Sequence, residues 1–149
     1  MTVQLAMRKN DRRLTSRFVG WWTGSKYSHC ELLIDGLCYS TSMMDKGVRR
    51  KLIDLNPRKW DVVDLHWASK EQALIYFEQT KHHSYGWAGL VINQLLNMGR
   101  STEGAQFCSQ WCANALTLPN PATLAPQPLL NLGLYLSKKL HTKKRDNNA

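Results

Sequence analysis

Acidic residues are scarce: 11 Asp and Glu stand against 20 Lys and Arg, a formal net charge of +9 over 149 residues. No apolar run reaches eighteen residues, so no segment has the length and character of a membrane-spanning helix. No Cys-x-x-Cys pair occurs among Cys30, Cys38, Cys108 and Cys112. Their spacings are not those of a zinc ribbon, and neither metal nor cofactor is expected. A signal peptide is not expected either, because Arg8, Lys9, Arg12 and Arg13 interrupt any apolar core near the N-terminus. The expectation is a soluble, cytoplasmic chain whose thiols stay reduced, without a disulfide framework. Proline is rare and unevenly placed: Pro119, Pro121, Pro126 and Pro128 make four of the five.

What is present argues for one folded unit. Six tryptophans and an apolar fraction of 43% suit a packed core. The length fits a single domain over residues 1–140, with a polar, basic tail at 141–149 expected to be disordered. Basic residues crowd Arg8–Arg17, Arg49–Lys51 and Lys138–Arg145. Such a field favours anionic partners, among them cell-wall polymers. No zinc finger, RNP aromatic motif or recognition helix accompanies it, so a specific nucleic-acid site is not expected. If the basic segments did bind nucleic acid, affinity would fall steeply with salt.

The periodicities give a coarse map. Val3–Met7 reads as an edge strand, and Leu14–Trp22 as a helix capped near Gly24. His29–Ile34 and Leu37–Ser42 flank Asp35-Gly36, the signature of a two-residue hairpin turn. Pairing Ile34 with Leu37 sets Leu33 opposite Cys38, Glu31 opposite Ser40 and His29 opposite Ser42. Those last four then share one face, an unusually polar one for a central hairpin. Val48–Ile53 reads as a strand with its basic side exposed, and Trp60–Trp67 as another. Lys70–Thr80 is a helix with Ala73, Leu74 and Phe77 inward. A loop at His82–Trp87 precedes an apolar helical segment, Ala88–Leu96. After a polar loop comes a helix over Phe107–Leu116. The four prolines are expected to forbid regular structure for about ten residues. Leu129–Leu140 reads as a last helix.

Two residues stand out chemically. Cys108 falls at the start of a helix, where N–H groups and the dipole lower a thiol pKa and favour the nucleophilic thiolate. Cys112, one turn on, reads as packed. His29 opens an apolar strand, where an imidazole can be held rigidly. Glu31, Ser40 and Ser42 are the groups near enough to fix its tautomer. The plainer alternative for each is a small core cysteine and a hydrogen-bonded structural histidine.

The order Trp21-Trp22-Thr23-Gly24-Ser25, Tyr27-Ser28-His29-Cys30-Glu31-Leu32, Gly47-Val48-Arg49, Trp60-Asp61, Ser84-Tyr85-Gly86-Trp87-Ala88-Gly89 and Phe107-Cys108-Ser109 resembles the circularly permuted, papain-like branch of the NlpC superfamily. That branch includes relatives of lecithin retinol acyltransferase, and the likeness covers residues 1–118. It implies an α+β fold, with a small antiparallel sheet packed on helices and the histidine strand ahead of the cysteine helix; papain has the opposite order. It implies Cys108 as nucleophile and His29 as base. The family's third polar residue falls at Ser40, which departs from the usual Glu, His, Asn or Gln and leaves Glu31 as the other candidate. Gly86 departs from the aspartate that often follows the tyrosine. Tyr85 is either an oxyanion donor, beside the Cys108 N–H, or a packed aromatic. Bacteriophages encode several such relatives, which suits a short cytosolic chain.

The implied activity is thiol hydrolysis of an amide through an acyl-enzyme, with cell-wall peptide as the commonest superfamily substrate. Relatives also act on lipid esters and in acyl transfer. The competing expectation is a non-catalytic phage or bacterial module that keeps the fold for binding or assembly.

Overall fold

The Asp35-Gly36 turn sets the geometry of the sheet. Both residues have positive φ, 50° and 80°, the requirement of the turn whose twist matches paired strands. It joins β2 (Tyr27–Ile34) to β3 (Leu37–Ser42). The ladder runs Ile34↔Leu37, Leu33↔Cys38 and Leu32↔Tyr39, the register expected from the turn. The computed structural model describes residues 2–10, 26–42, 45, 47–82, 105–121 and 124–146, with the backbone alone at 105–107 and 141–146. The helices expected at 14–22 and 88–96 lie outside these residues.

Among the described residues the architecture is α+β: one five-stranded antiparallel sheet and three helices. The strand order is β4-β3-β2-β1-β5. Here β1 is Val3–Lys9, β4 is Gly47–Lys51 and β5 is Trp60–Leu65. The first strand is therefore no edge strand. It bonds β2 on one side and β5 on the other, with Val3, Leu5, Ala6 and Met7 buried. Both rows of its backbone groups are thereby paired, as burial demands. β5 ends before His66 and Trp67, which lie in a turn. There the Trp67 indole donates to the Gly133 carbonyl at 3.1 Å and ties the last helix to the sheet.

Helix α1 (Lys70–Thr80) occupies the expected span, capped by Ser69, whose hydroxyl accepts from the Gln72 N–H. Helix α2 (Ala105–Ala115) begins two residues before the expected start. It packs on β2 and β3, with α1 and α3 against it. Its C-terminus closes by bonds from the Leu118 N–H to the Ala113 carbonyl and from the Thr117 N–H to the Asn114 carbonyl, both 2.9 Å. This is the Schellman arrangement, with Thr117 in the left-handed conformation usually left to glycine.

Helix α3 (Pro126–Asp146) corrects two expectations. Pro126 and Pro128 do not break it, because they occupy its first turn, where N–H groups have no intrahelical acceptor. Residues 141–146, expected as a disordered tail, continue the helix. The core lies between the sheet and the helices: Leu5, Met7, Leu32 and Leu65 meet Trp111, Cys112 and Leu129.

Candidate active site

Alternation divides β2 between the two faces of the sheet. Leu32 and Cys30, level with Leu5 and Met7, belong to the helix-packed face. Glu31 and His29, level with Ala6 and Arg8, belong to the other. Cys108 stands against residues of both sets, near enough to the Cys30 thiol and the His29 ring for each to move its pKa. A register shift between Arg8 and Lys9 falls beside His29, and a bulge adds local twist at such a place. Cys112, one helical turn from Cys108, completes a thiol cluster. Its sulfur lies 3.8 Å from that of Cys30, and it donates toward the Cys30 carbonyl at 3.9 Å. With α2 starting at Ala105, Cys108 sits at the end of the first turn, within reach of the N-terminal dipole.

Coupled ionisable groups carry the electrostatics. Burial pushes the Cys108 thiol up, but the hydrogen bond from Cys30, then the charge and hydrogen bond of His29, bring it well below its ordinary value. Burial pulls the His29 ring down, but the Cys108 thiolate, then Glu31, raise it to about 10. The two shifts are coupled and opposite in sign: each group favours the charged form of the other. Burial, then hydrogen bonds to Cys108 and Cys112, hold Cys30 well above the ordinary thiol value, so it stays a neutral donor. Cys38, across β3, is raised to about 11 by burial and by the charge of Glu31.

Behind the ring stands Glu31, whose Oε1 accepts from His29 Nε2 at 2.7 Å. With Nε2 so engaged, Nδ1 is the ring nitrogen left for the Cys108 side. Glu31 is fully buried, while His29 is 20% exposed and forms the solvent-facing edge of the pair. Burial pushes the Glu31 carboxyl up, but hydrogen bonds from Arg49 and His29 hold it below its ordinary value. The Trp60 ring stands edge-on to the imidazole, centroids 6.5 Å apart.

Ser40, the position expected from the resemblance to orient the histidine, does not touch it. Its hydroxyl donates to the carbonyls of Cys30, at 2.9 Å, and Thr41, at 3.3 Å. The reason is length: a serine side chain on β3 is satisfied at its own backbone level, whereas Glu31 reaches along its strand to the ring. Ser42 pairs with Gly47 at the β4 side of β3. Tyr85 lies outside the described residues.

Two contributors carry no local signal of their role. Nothing in the pattern around Cys30 distinguishes it from its neighbours in the strand. Arg49 was assigned to a basic exposed face, yet its side chain is only 14% exposed and points to Glu31. One signal was available: a carboxylate in an apolar strand requires a buried cation, and β4 carries it one strand beyond the hairpin.

Among the described residues no group of three or more His, Cys, Asp or Glu is arranged to hold a metal ion. None of their helices is long and apolar enough to cross a membrane. Comparison of the chain with protein-family models, with curated proteins and with solved structures gives no match.

Proposed function

We propose that the protein is a thiol hydrolase of the permuted papain-like kind, acting on an amide bond. The observation that carries this reading is Cys108 coupled to the His29 ring, with Glu31 hydrogen-bonded behind that ring. A thiolate made at neutral pH by an adjacent imidazolium, itself held by a third group, is the arrangement that nucleophilic cysteine catalysis requires.

The steps follow from the groups present. The Cys108 thiolate attacks the carbonyl carbon, and the carbonyl oxygen becomes an oxyanion. The His29 imidazolium gives its proton to the amine, which leaves with the electrons of the broken C–N bond. The neutral ring then takes a proton from water, whose oxygen attacks the thioester and releases the acid. That step restores both thiolate and imidazolium. Glu31 keeps the ring in one orientation and favours its charged form throughout. Of the oxyanion donors expected from the sequence, Tyr85 and the Cys108 N–H, the latter stands in the first turn of α2.

The net charge of +9 supports an anionic substrate, and the peptide stems of a cell-wall polymer are the class we propose. The test is hydrolysis of peptidoglycan, model peptides and acyl esters by the purified chain, with Cys108→Ala as the control. Loss of peptide and cell-wall turnover in the variant is expected. Full turnover would remove Cys108 from the mechanism, and turnover of esters alone would move the protein to lipid chemistry.

A second reading draws on the complete burial of Cys108. A non-catalytic module that keeps the fold for binding or assembly has no need of an accessible sulfur. Iodoacetamide separates the two: a catalytic Cys108 alkylates in the native state below the ordinary thiol pKa, whereas a structural one resists until unfolding.

A further inference from the structure

We infer that Arg49 is a positioning residue of this site: its guanidinium fork pins the Glu31 carboxylate against Nε2 of His29 and thereby fixes the ring that meets Cys108. The inference rests on the catalytic reading of Cys108 and His29 and extends it one strand further.

The geometry is that of a bidentate clamp. Arg49 Nη1 donates to Glu31 Oε2 and Nη2 to Oε1, each at 2.5 Å, while the same Oε1 accepts from His29 Nε2 at 2.7 Å. A carboxylate held at both oxygens by one planar group cannot rotate away from the third partner. Glu31 is fully buried, so water does not substitute for any of these donors. Arg49 is itself held, because its Nε donates to Asp45 Oδ2 at 2.9 Å and Asp45 is also paired with Lys51. A continuous set of contacts thus runs from Asp45 through Arg49, Glu31 and His29 to Cys108.

The sheet explains how two residues on non-adjacent strands meet. Ser40 pairs with Arg49 across β3 and β4. Counting one step from Leu32↔Tyr39 sets Ser40 level with Glu31. The row is therefore Glu31, Ser40, Arg49, and the middle member is short and turned onto the Cys30 and Thr41 carbonyls. A longer side chain at that position would occupy the space the fork crosses. Ser40 thus serves the site by its size, not by touching His29.

A buried ion pair that serves only the fold would look similar, and chemical reactivity distinguishes the two. The experiment follows alkylation of Cys108 by iodoacetamide in the full native chain across pH, with the modified residue identified by mass. The variants are Arg49→Lys, Arg49→Met, Glu31→Gln and the double Glu31→Gln/Arg49→Met, each first checked for a native near-ultraviolet spectrum. The charged and titratable groups facing Glu31 are His29 on β2, Cys38 on β3 and Arg49 on β4, with Asp45 and Cys108 behind them. Arg49→Lys, which keeps the charge and loses the fork, is expected to slow alkylation at neutral pH by about tenfold, the size of one pKa unit in the thiol. The double variant is expected to be no slower than Glu31→Gln alone, because Arg49 acts through Glu31. A folded Arg49→Lys that alkylates at the unaltered rate, or losses that multiply in the double variant, would overturn the inference.

Nitrogen-15 shifts of the His29 ring give the same answer without reference to the sulfur. A change of tautomer or protonation in Arg49→Lys supports the positioning role, and identical shifts in the folded variant refute it. This holds even where Arg49→Met does not fold. Should unaltered Cys108 alkylate as an ordinary thiol, or Cys108→Ala keep its turnover, the catalytic reading fails; the ring shifts still decide what Arg49 does to His29.

Discussion

Glu31 accepts a hydrogen bond from His29 Nε2 at 2.7 Å although both side chains belong to the same strand, two residues apart. Here the alternation of one strand supplies both groups on one face, and Arg49 from β4 fixes the carboxylate from the far side. The solvent-facing end of the set is His29 and the buried end is Cys108.

The ion pair makes a definite statement about pH. Thiolate is present above the lowered Cys108 value, and imidazolium persists until about 10. kcat/KM for amide hydrolysis is expected to be bell-shaped, with its acid limb well below the ordinary thiol value of about 9 and its alkaline limb near 10. An acid limb at the ordinary thiol value would show that the pair does not form in solution.

Stability follows the same groups by linkage. The raised His29 value contributes stability fully below about 6.5, lost as pH rises through about 10. The lowered Cys108 value contributes stability fully above about 9, lost as pH falls through its folded value. The sum is a plateau between about 6.5 and 9. Glu31, lowered from 4.5, adds a contribution present above that pH and lost toward acid. Urea unfolding across pH is expected to show the plateau, and Cys108→Ala to remove its alkaline shoulder.

Removing the carboxylate costs both activity and stability. Glu31→Ala leaves the Arg49 guanidinium buried with Asp45 alone, and a loss of about 3 kcal/mol is expected in urea unfolding. Glu31→Gln keeps the shape and is expected to lose less stability, while turnover falls roughly 100-fold as the ring loses its charged partner. Equal turnover in Glu31→Gln and the unaltered chain would leave the histidine without need of an orienting group.

The Cys30 thiol contributes to the lowered Cys108 pKa, so its removal tests the proposed nucleophile. Cys30→Ala is expected to raise the Cys108 pKa and slow its alkylation at neutral pH, whereas Cys30→Ser restores a donor and most of the rate. Mass analysis of iodoacetamide adducts reads both. A Cys30→Ala chain with unchanged Cys108 reactivity would leave His29 as the whole cause of the lowered thiol.

Thr117 tests the fold apart from the site. Its φ of 52° lies in the left-handed region, which a β-branched side chain adopts only under strain. Thr117→Gly keeps both closing bonds of α2 and is expected to raise the stability by about 1 kcal/mol, with turnover unchanged. A drop in melting temperature would mean that the threonine side chain contributes more than its backbone strain costs.

The local determinants were legible in the chain. Asp35-Gly36 specified the turn and with it the register of β2 on β3, because only residues that accept positive φ close a two-residue hairpin. The spacing of Ala73, Leu74 and Phe77 marked α1, whose span is the expected one, Lys70–Thr80. Cys108 and His29 could be named from the resemblance and their order in the chain, with Ser40 at the third position and Glu31 as the other candidate. Tertiary structure decided the rest. The sequence carries no signal for which strands flank β1, so an interior strand passed for an edge. Prolines at 126 and 128 read as breakers until the helix start placed them where no N–H is needed. The partner of a buried carboxylate is chosen by register across three strands: Ser40 was too short to reach His29, and Arg49, one strand beyond it, completed the site. Local propensity is a property of neighbours in the chain; the choice of charge partner is a property of neighbours in the sheet.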